Sequence, residues 1–183
     1  MDASKVRTRN LSAVLDLVHR RRGITRADLT RALGLNRSTI GDLVSVLVEH
    51  GWAQEVDDAP RSGVGRPSPR VLPCEQRVVA AINPELDVID VALVSLGGAL
   101  VARTRVPASK PGVDNTLAVT VTAVRELLAE HPDAQLLGAG VAVPGLVRSH
   151  DGFVRLAPHL DWREEPLASR LAEALDVPVA AAN

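Results

Sequence analysis

The sequence predicts two segments of different class, a helical front that ends in a β-hairpin and an α/β back. Hydrophobic periodicity, turn content and charge each divide the chain in the same region. Apolar residues recur at helical spacing as far as Gly51, and runs rich in Val and Ile follow Pro73. A turn-rich stretch, residues 57–68, lies between them. Residues 1–72 carry 12 Lys+Arg and 8 Asp+Glu, net +4, and residues 73–183 carry 9 and 14, net −5. With about 100–200 residues per domain as a guide, 183 residues hold one ordinary domain or two small ones. The expected domains are 1–72 and 73–183.

In the front, Leu11, Val14, Leu15 and Val18 stand at i, i+3, i+4 and i+7, a helical stripe. Arg20, Arg21 and Arg22 supply cations to its last turn, and Gly23 stops it. Thr25-Arg26-Ala27-Asp28 reads as a capping box, its hydroxyl and carboxylate both satisfying free helix N–H groups. A short helix with Leu29 and Leu33 on one face follows. Gly34-Leu35-Asn36 makes a tight turn, and Asn36 caps a third helix with Ile40, Leu43, Val44, Leu47 and Val48 inside. Its other face presents Arg37, Ser38, Thr39, Asp42 and Ser45.

A short helix, a glycine turn and a helix with a polar leading end form the pattern of a helix-turn-helix. A major groove admits one helix, and Arg, Ser and Thr at its leading end reach phosphates and base edges. A plain three-helix bundle with solvated polar faces is the alternative. Residues 52–56 predict a strand and residues 70–72 its partner, so a hairpin, or wing, follows the third helix directly. Its tip carries Arg61 and Gly65-Arg66-Pro67, with Arg70 nearby. Glycine and proline beside an arginine keep the backbone narrow enough for a minor groove. A flexible linker with incidental arginines is the other reading. The candidate DNA-binding residues are Arg26, Arg37, Ser38, Thr39, Asp42, Ser45, Arg61, Arg66 and Arg70.

In the back, residues 77–82, 88–95 and 99–105 predict three antiparallel strands, the last two joined at Gly97-Gly98. Residues 113–130 predict a helix with Val113, Leu117, Val121, Val124 and Leu128 on one face. Residues 136–143 form a buried strand, and residues 147–155 a hairpin turning at Asp151-Gly152. A helix over 167–175 and a strand over 177–181 complete the series. The last strand is expected at the centre of the sheet, with an apolar face that favours association. Three antiparallel strands, helix, strand, helix, strand is the order of an actin-like ATPase or sugar-kinase (RNase H-like) N-terminal lobe.

Composition narrows the function. Aromatics are 2% of residues, namely Trp52, Trp162 and Phe153, too few for a surface that stacks single-stranded bases. The one cysteine, Cys74, excludes an intrachain disulfide framework and is expected to be a small buried hydrophobe. The charged start does not read as a secretory signal. The longest apolar run, residues 136–147, is broken by glycines and Pro144 and falls short of the ~18 apolar residues of a membrane span. A cytoplasmic, soluble chain without cofactor or metal is expected. His131 and His150 read as surface residues, and Glu164-Glu165 before Pro166 as acids at a helix N-terminus.

Several motifs carry a family resemblance across nearly the whole chain. They are Arg26-Ala27-Asp28-Leu29, Gly34-Leu35-Asn36-Arg37-Ser38-Thr39-Ile40, Gly65-Arg66-Pro67, Val143-Pro144-Gly145-Leu146-Val147, Leu160-Asp161-Trp162, and Val177-Pro178-Val179 running to Asn183. On these residues the chain resembles the N-terminal part of the ROK family (repressor/ORF/kinase). The family's kinases lack the front segment, so the resemblance implies a transcriptional regulator, a sugar-responsive repressor of carbohydrate genes.

The resemblance also implies site residues. The family's kinases carry an Asp-x-Gly-Gly-Thr phosphate loop where this chain has Asn83-Pro84-Glu85-Leu86-Asp87. Pro84 lacks an N–H, Leu86 is bulky and Glu85 repels phosphate, so ATP binding in the usual mode is not expected and the chain is read as no enzyme. Sugar contacts map onto Gly145 and Asn183, with His159 at the expected rim. The family's Glu-x-Gly-His motif and cysteine-rich zinc loop are not in this sequence, which reads as a regulator truncated within its ligand domain. The implied partners are double-stranded operator DNA, a sugar or sugar-phosphate effector of the intact protein, and a second copy in a homodimer or higher oligomer, with no membrane. A sugar kinase with a DNA-binding appendage and a non-functional fragment are the alternatives.

Overall fold

The computed structural model describes residues 3–57 and 68–183. The chain divides into two compact units, Met1–Glu75 with Leu96–Gly98, and Gln76–Ser95 with Ala99–Asn183.

The front unit runs α1 (Ala3–Arg21), β1 (Ile24–Thr25), α2 (Arg26–Leu33), α3 (Arg37–Glu49), β2 (Ala53–Val56) and β3 (Arg70–Pro73). Its core joins Val14 and Val18 of α1 to Leu29 of α2, Ile40, Val44 and Leu47 of α3, and Val71 of β3. These are the apolar positions of the helical stripes, so three helices close on one another as their periodicity requires. The two-residue β1 has no sequence signal of its own. It is fixed by pairing with β3, Ile24 to Val71 and Thr25 to Arg70, in a sheet ordered β1-β3-β2.

The back unit runs β4 (Arg77–Pro84), β5 (Val88–Ser95), β6 (Leu100–Pro107), α4 (Val113–Glu130), β7 (Gln135–Ala142), β8 (Leu146–Arg148), β9 (Phe153–Ala157), β10 (Trp162–Glu165), α5 (Leu167–Leu175) and β11 (Val179–Ala182). The main sheet is ordered β11-β7-β4-β5-β6, with β7 parallel to β4 and to β11 and the other pairs antiparallel. Val78, Ala80 and Ile82 of β4 and Ile89, Val91 and Leu93 of β5 are buried with Val124 of α4 and Leu171 of α5. Alternation puts Val79, Ala81, Asn83 and Asp90 on the opposite face.

Several expectations change here. The final strand is an edge of the described sheet, not its centre, because β11 pairs with β7 alone. Glu164 and Glu165 belong to strand β10, which pairs with β9, and the first turn of α5 holds no acid. The buried face of α4 includes Thr116, Thr120, Ala123 and Leu127 besides Val113, Leu117 and Val124, whereas Val121 and Leu128 are only partly covered. Cys74 is half-buried rather than enclosed, and its N–H donates to the carbonyl of Trp52. Among the described residues, no helix is long and apolar enough to cross a membrane, and no three potential metal ligands cluster.

Candidate nucleic-acid interface and ligand cleft

Local chemistry positions α2 and α3. The Thr25 hydroxyl accepts from the Asp28 N–H at 3.1 Å, one half of the expected capping box. The other half differs. The Asp28 carboxylate accepts the Thr25 hydroxyl at 2.7 Å and pairs with Arg31, while the Thr25 backbone belongs to β1. Gly34 adopts φ 64°, a left-handed turn that glycine enters at little cost, and its N–H donates to the Thr30 carbonyl. The Asn36 side chain then accepts from the Thr39 N–H at 2.8 Å. With this start fixed, α3 leaves Arg37, Ser38, Asp42 and Ser45 exposed and Thr39 half-buried. The Ser38 hydroxyl also donates to the Asn36 side chain at 2.8 Å, so Asn36 orders the leading turn twice.

Arg26 is placed differently from the exposed α3 residues. Its Nε and Nη2 both donate to the Glu55 carboxylate of β2, tying the start of α2 to the first strand of the hairpin. The base of the hairpin is fastened to the same helix. The Arg26 N–H donates to the Pro69 carbonyl at 3.1 Å and the Ala27 N–H to the Ser68 hydroxyl at 3.3 Å. Arg70 is half-buried and alternates with buried Val71, so it lies on the sheet face away from the core. Arg61 and Arg66, with Gly65 and Pro67, lie outside the described residues.

In the back unit, Asn183 Nδ2 donates to the Gly145 carbonyl at 2.7 Å, bringing two of the three sugar-site candidates together. A Cβ on Gly145 would collide with the Leu156 carbonyl, so close backbone packing explains this glycine. His159 is exposed in the turn between β9 and β10. Asn83, Asp90, Ala142 and Asn183 line a cleft of about 450 Å³ on the uncovered sheet face. Of these, Asp90 accepts from Arg103 at both oxygens, one at 2.8 Å, and Arg105 stands 3.6 Å away. The hydrogen bond from Arg103, then its charge and that of Arg105, hold the Asp90 carboxyl below its ordinary range against the opposing effect of burial.

The β4–β5 turn, residues 85–87, holds no glycine. Pro84 has no N–H, the Glu85 N–H already donates to the Val88 carbonyl at 2.8 Å, and the Asn83 amide donates to the Glu85 carboxylate. Two pairings had no sequence signal, Arg26 with Glu55 and Arg103 with Asp90. Their partners are 29 and 13 residues apart, far beyond helical or turn spacing.

Comparison with known proteins agrees with both halves. The IclR helix-turn-helix domain model matches residues 9–57, and the ROK family model matches residues 80–183. The chain is 26% identical over 180 residues to the xylose repressor of Bacillus subtilis (strain 168), covering 97% of this chain and 47% of that protein. It is 26% identical over 174 residues to transcriptional regulator Mb0495 of Mycobacterium bovis, covering 94% and 40%. The chain thus spans about half the length of the curated relatives it matches. Its fold resembles that of a ROK family transcriptional regulator homologous to the Escherichia coli MLC protein, with a TM-score of 0.72, 21% identity, and coverage of 97% and 46%. The back half resembles the inorganic polyphosphate/ATP-glucomannokinase of Arthrobacter sp. strain KM, with a TM-score of 0.52, 27% identity, and coverage of 58% and 44%. An N-terminal helix-turn-helix followed by part of an actin-like sugar-kinase-type domain is therefore the architecture, and the chain belongs to the ROK family.

Proposed function

We propose that this chain binds operator DNA as part of a sugar-responsive transcriptional repressor, with residues 1–72 as the DNA-binding domain and 73–183 as part of the effector domain. The observation that carries this reading is the exposed, doubly capped leading turn of α3 beside a hairpin anchored to α2. Arg37 begins α3 and reaches base edges or phosphates in a major groove. Ser38, Thr39 and Ser45 supply hydroxyls, and Asp42 accepts from a cytosine amino group. Arg61 and Arg66 enter the minor groove or meet phosphates, and Arg70 supports them from the hairpin base. Arg26 serves the interface through Glu55, as a residue that positions the hairpin.

The relatives named as xylose repressors favour a sugar as the effector, a pentose above other classes. Gly145, Asn183 and His159 are the candidate sugar contacts. The β4–β5 turn supports a binding rather than a phosphoryl-transfer role, because Pro84 has no N–H, the Glu85 N–H is already spent on Val88, and the Glu85 carboxylate repels phosphate. Two copies bind a pseudo-palindrome with half-sites about one or two helical turns apart.

Titration of Arg37→Ala and Arg66→Ala against operator and scrambled duplexes, at two salt concentrations, tests the reading. Arg37→Ala costs about 1–3 kcal/mol and relaxes preference at one position per half-site. Arg66→Ala weakens binding across sequences in a way that follows A·T content. Unchanged affinity in both variants, or a parent without salt dependence, would falsify it.

A further inference from the structure

Arg21 ends α1, Arg31 lies on the exposed side of α2, and Arg70 opens β3. The three line one open trough of about 700 Å³, floored by Gly23 and Thr25, with Asp28 as its acid. Among the described residues neither Arg21 nor Arg70 has a carboxylate partner, while Arg31 pairs with Asp28. Asp28 is itself held by the Thr25 hydroxyl. Three guanidiniums therefore face one carboxylate that is already engaged, and the trough keeps an excess of positive charge.

Its floor includes a glycine that packing against β3 requires. Gly23 has φ 114°, and a Cβ there would collide with Leu72 and crowd Arg70 Nη2. A larger residue between the end of α1 and β3 would have to displace the Leu72 side chain and adopt a strained positive φ. The trough is also continuous with the interface proposed above. Thr25 pairs with Arg70, and the Arg26 N–H donates to the Pro69 carbonyl at the hairpin base.

We propose that this trough holds backbone phosphates of duplex DNA outside the bases read by α3. The inference rests on the DNA-binding reading of the front unit and extends it to flanking DNA. Arginines on three different elements suit a line of phosphates, and α2 joins that line to the half-site. Guanidinium forks bind phosphate oxygens without regard to sequence, so the trough adds affinity and register, not base preference.

The test uses the full chain and duplexes selected from a random pool by the parent protein. One duplex ends at the selected half-sites, and the other extends about one helical turn beyond each end. The parent binds the extended duplex more tightly, with a steeper dependence of log K on log salt. Arg21→Ala and Arg31→Ala each lower that slope by about 1 on the extended duplex and match the parent on the short one. Arg21→Lys keeps most of the gain, which separates lost charge from lost folding. Arg37→Ala weakens both duplexes alike. An extension that adds nothing, or trough variants that weaken both duplexes equally, overturns the proposal. So does binding of inorganic pyrophosphate that needs Arg21 while extension has no effect, since the trough is then a small-anion site. A parent that binds neither duplex fails at the earlier step and removes the DNA-binding reading along with this one.

Discussion

At the turn of the β8–β9 hairpin, Arg148 donates to both Asp151 oxygens at 2.8 and 2.5 Å, and the Phe153 N–H adds a third bond at 3.3 Å. The guanidinium lies 4.7 Å from the centre of the Phe153 ring, so one arginine serves both a carboxylate and an aromatic face. The hydrogen bonds from Arg148 lower the Asp151 carboxyl from 3.8 to about 2. A carboxyl with a depressed folded-state value stabilises the fold above its unfolded value and loses that contribution as pH falls. The hairpin is therefore expected to hold above about pH 4 and to weaken as pH falls from 3.8 to about 2. Titration of the Asp151 side chain by NMR is the measurement, and Arg148→Ala returns its midpoint toward 3.8. A midpoint that ignores the variant would show that the pair does not form in solution.

Within elements, α4 shows where periodicity and packing part. Reading apolar residues alone places Val121 and Leu128 inside, yet the helix turns Thr116 and Thr120 into the core, both 0% exposed. Neither hydroxyl has a hydrogen-bond partner among the described residues. A buried hydroxyl without a partner costs about 1–3 kcal/mol, and valine fills nearly the same volume without that penalty. Thr120→Val is expected to raise stability by about 1 kcal/mol in urea unfolding. A loss of stability would mean that Thr120 has a partner in solution. Helix starts behave more simply, because Thr25 and Asn36 act on N–H groups three residues away. Those caps were legible in the sequence. Strands β1 and β10 were not, since two or four residues carry too little pattern to reveal a partner elsewhere in the chain.

For the whole molecule, the back unit keeps the strand order of a sugar-kinase lobe, while its β4–β5 turn carries Pro84 and a Glu85 N–H bonded to the Val88 carbonyl. The chain is expected to hydrolyse no ATP and to phosphorylate no hexose or pentose. A coupled assay that detects ADP above the protein-free background would refute this and revive the kinase alternative. The candidate sugar site is legible only in part. Gly145 and Asn183 meet, but the cleft beside Asn183 also holds Asp90, which belongs to no motif and whose arginine partners come from β6.

By itself the sequence determined the division into a basic front and an acidic back, the capped helix-turn-helix, the long helix α4 and the hairpin at Asp151-Gly152. Each depends on interactions within a few residues, such as a cap at i+3, a stripe at i+4 or a two-residue turn, and the sequence records these directly. Tertiary structure alone decided that β11 lies parallel beside β7, that Glu165 lies in a strand, that Arg26 faces Glu55 and that Asn183 reaches Gly145. The last two contacts join residues 29 and 38 positions apart. Such partners meet only after the apolar faces of several elements have packed, because burial of those faces, not the pairwise attraction, fixes where each strand and charge comes to rest.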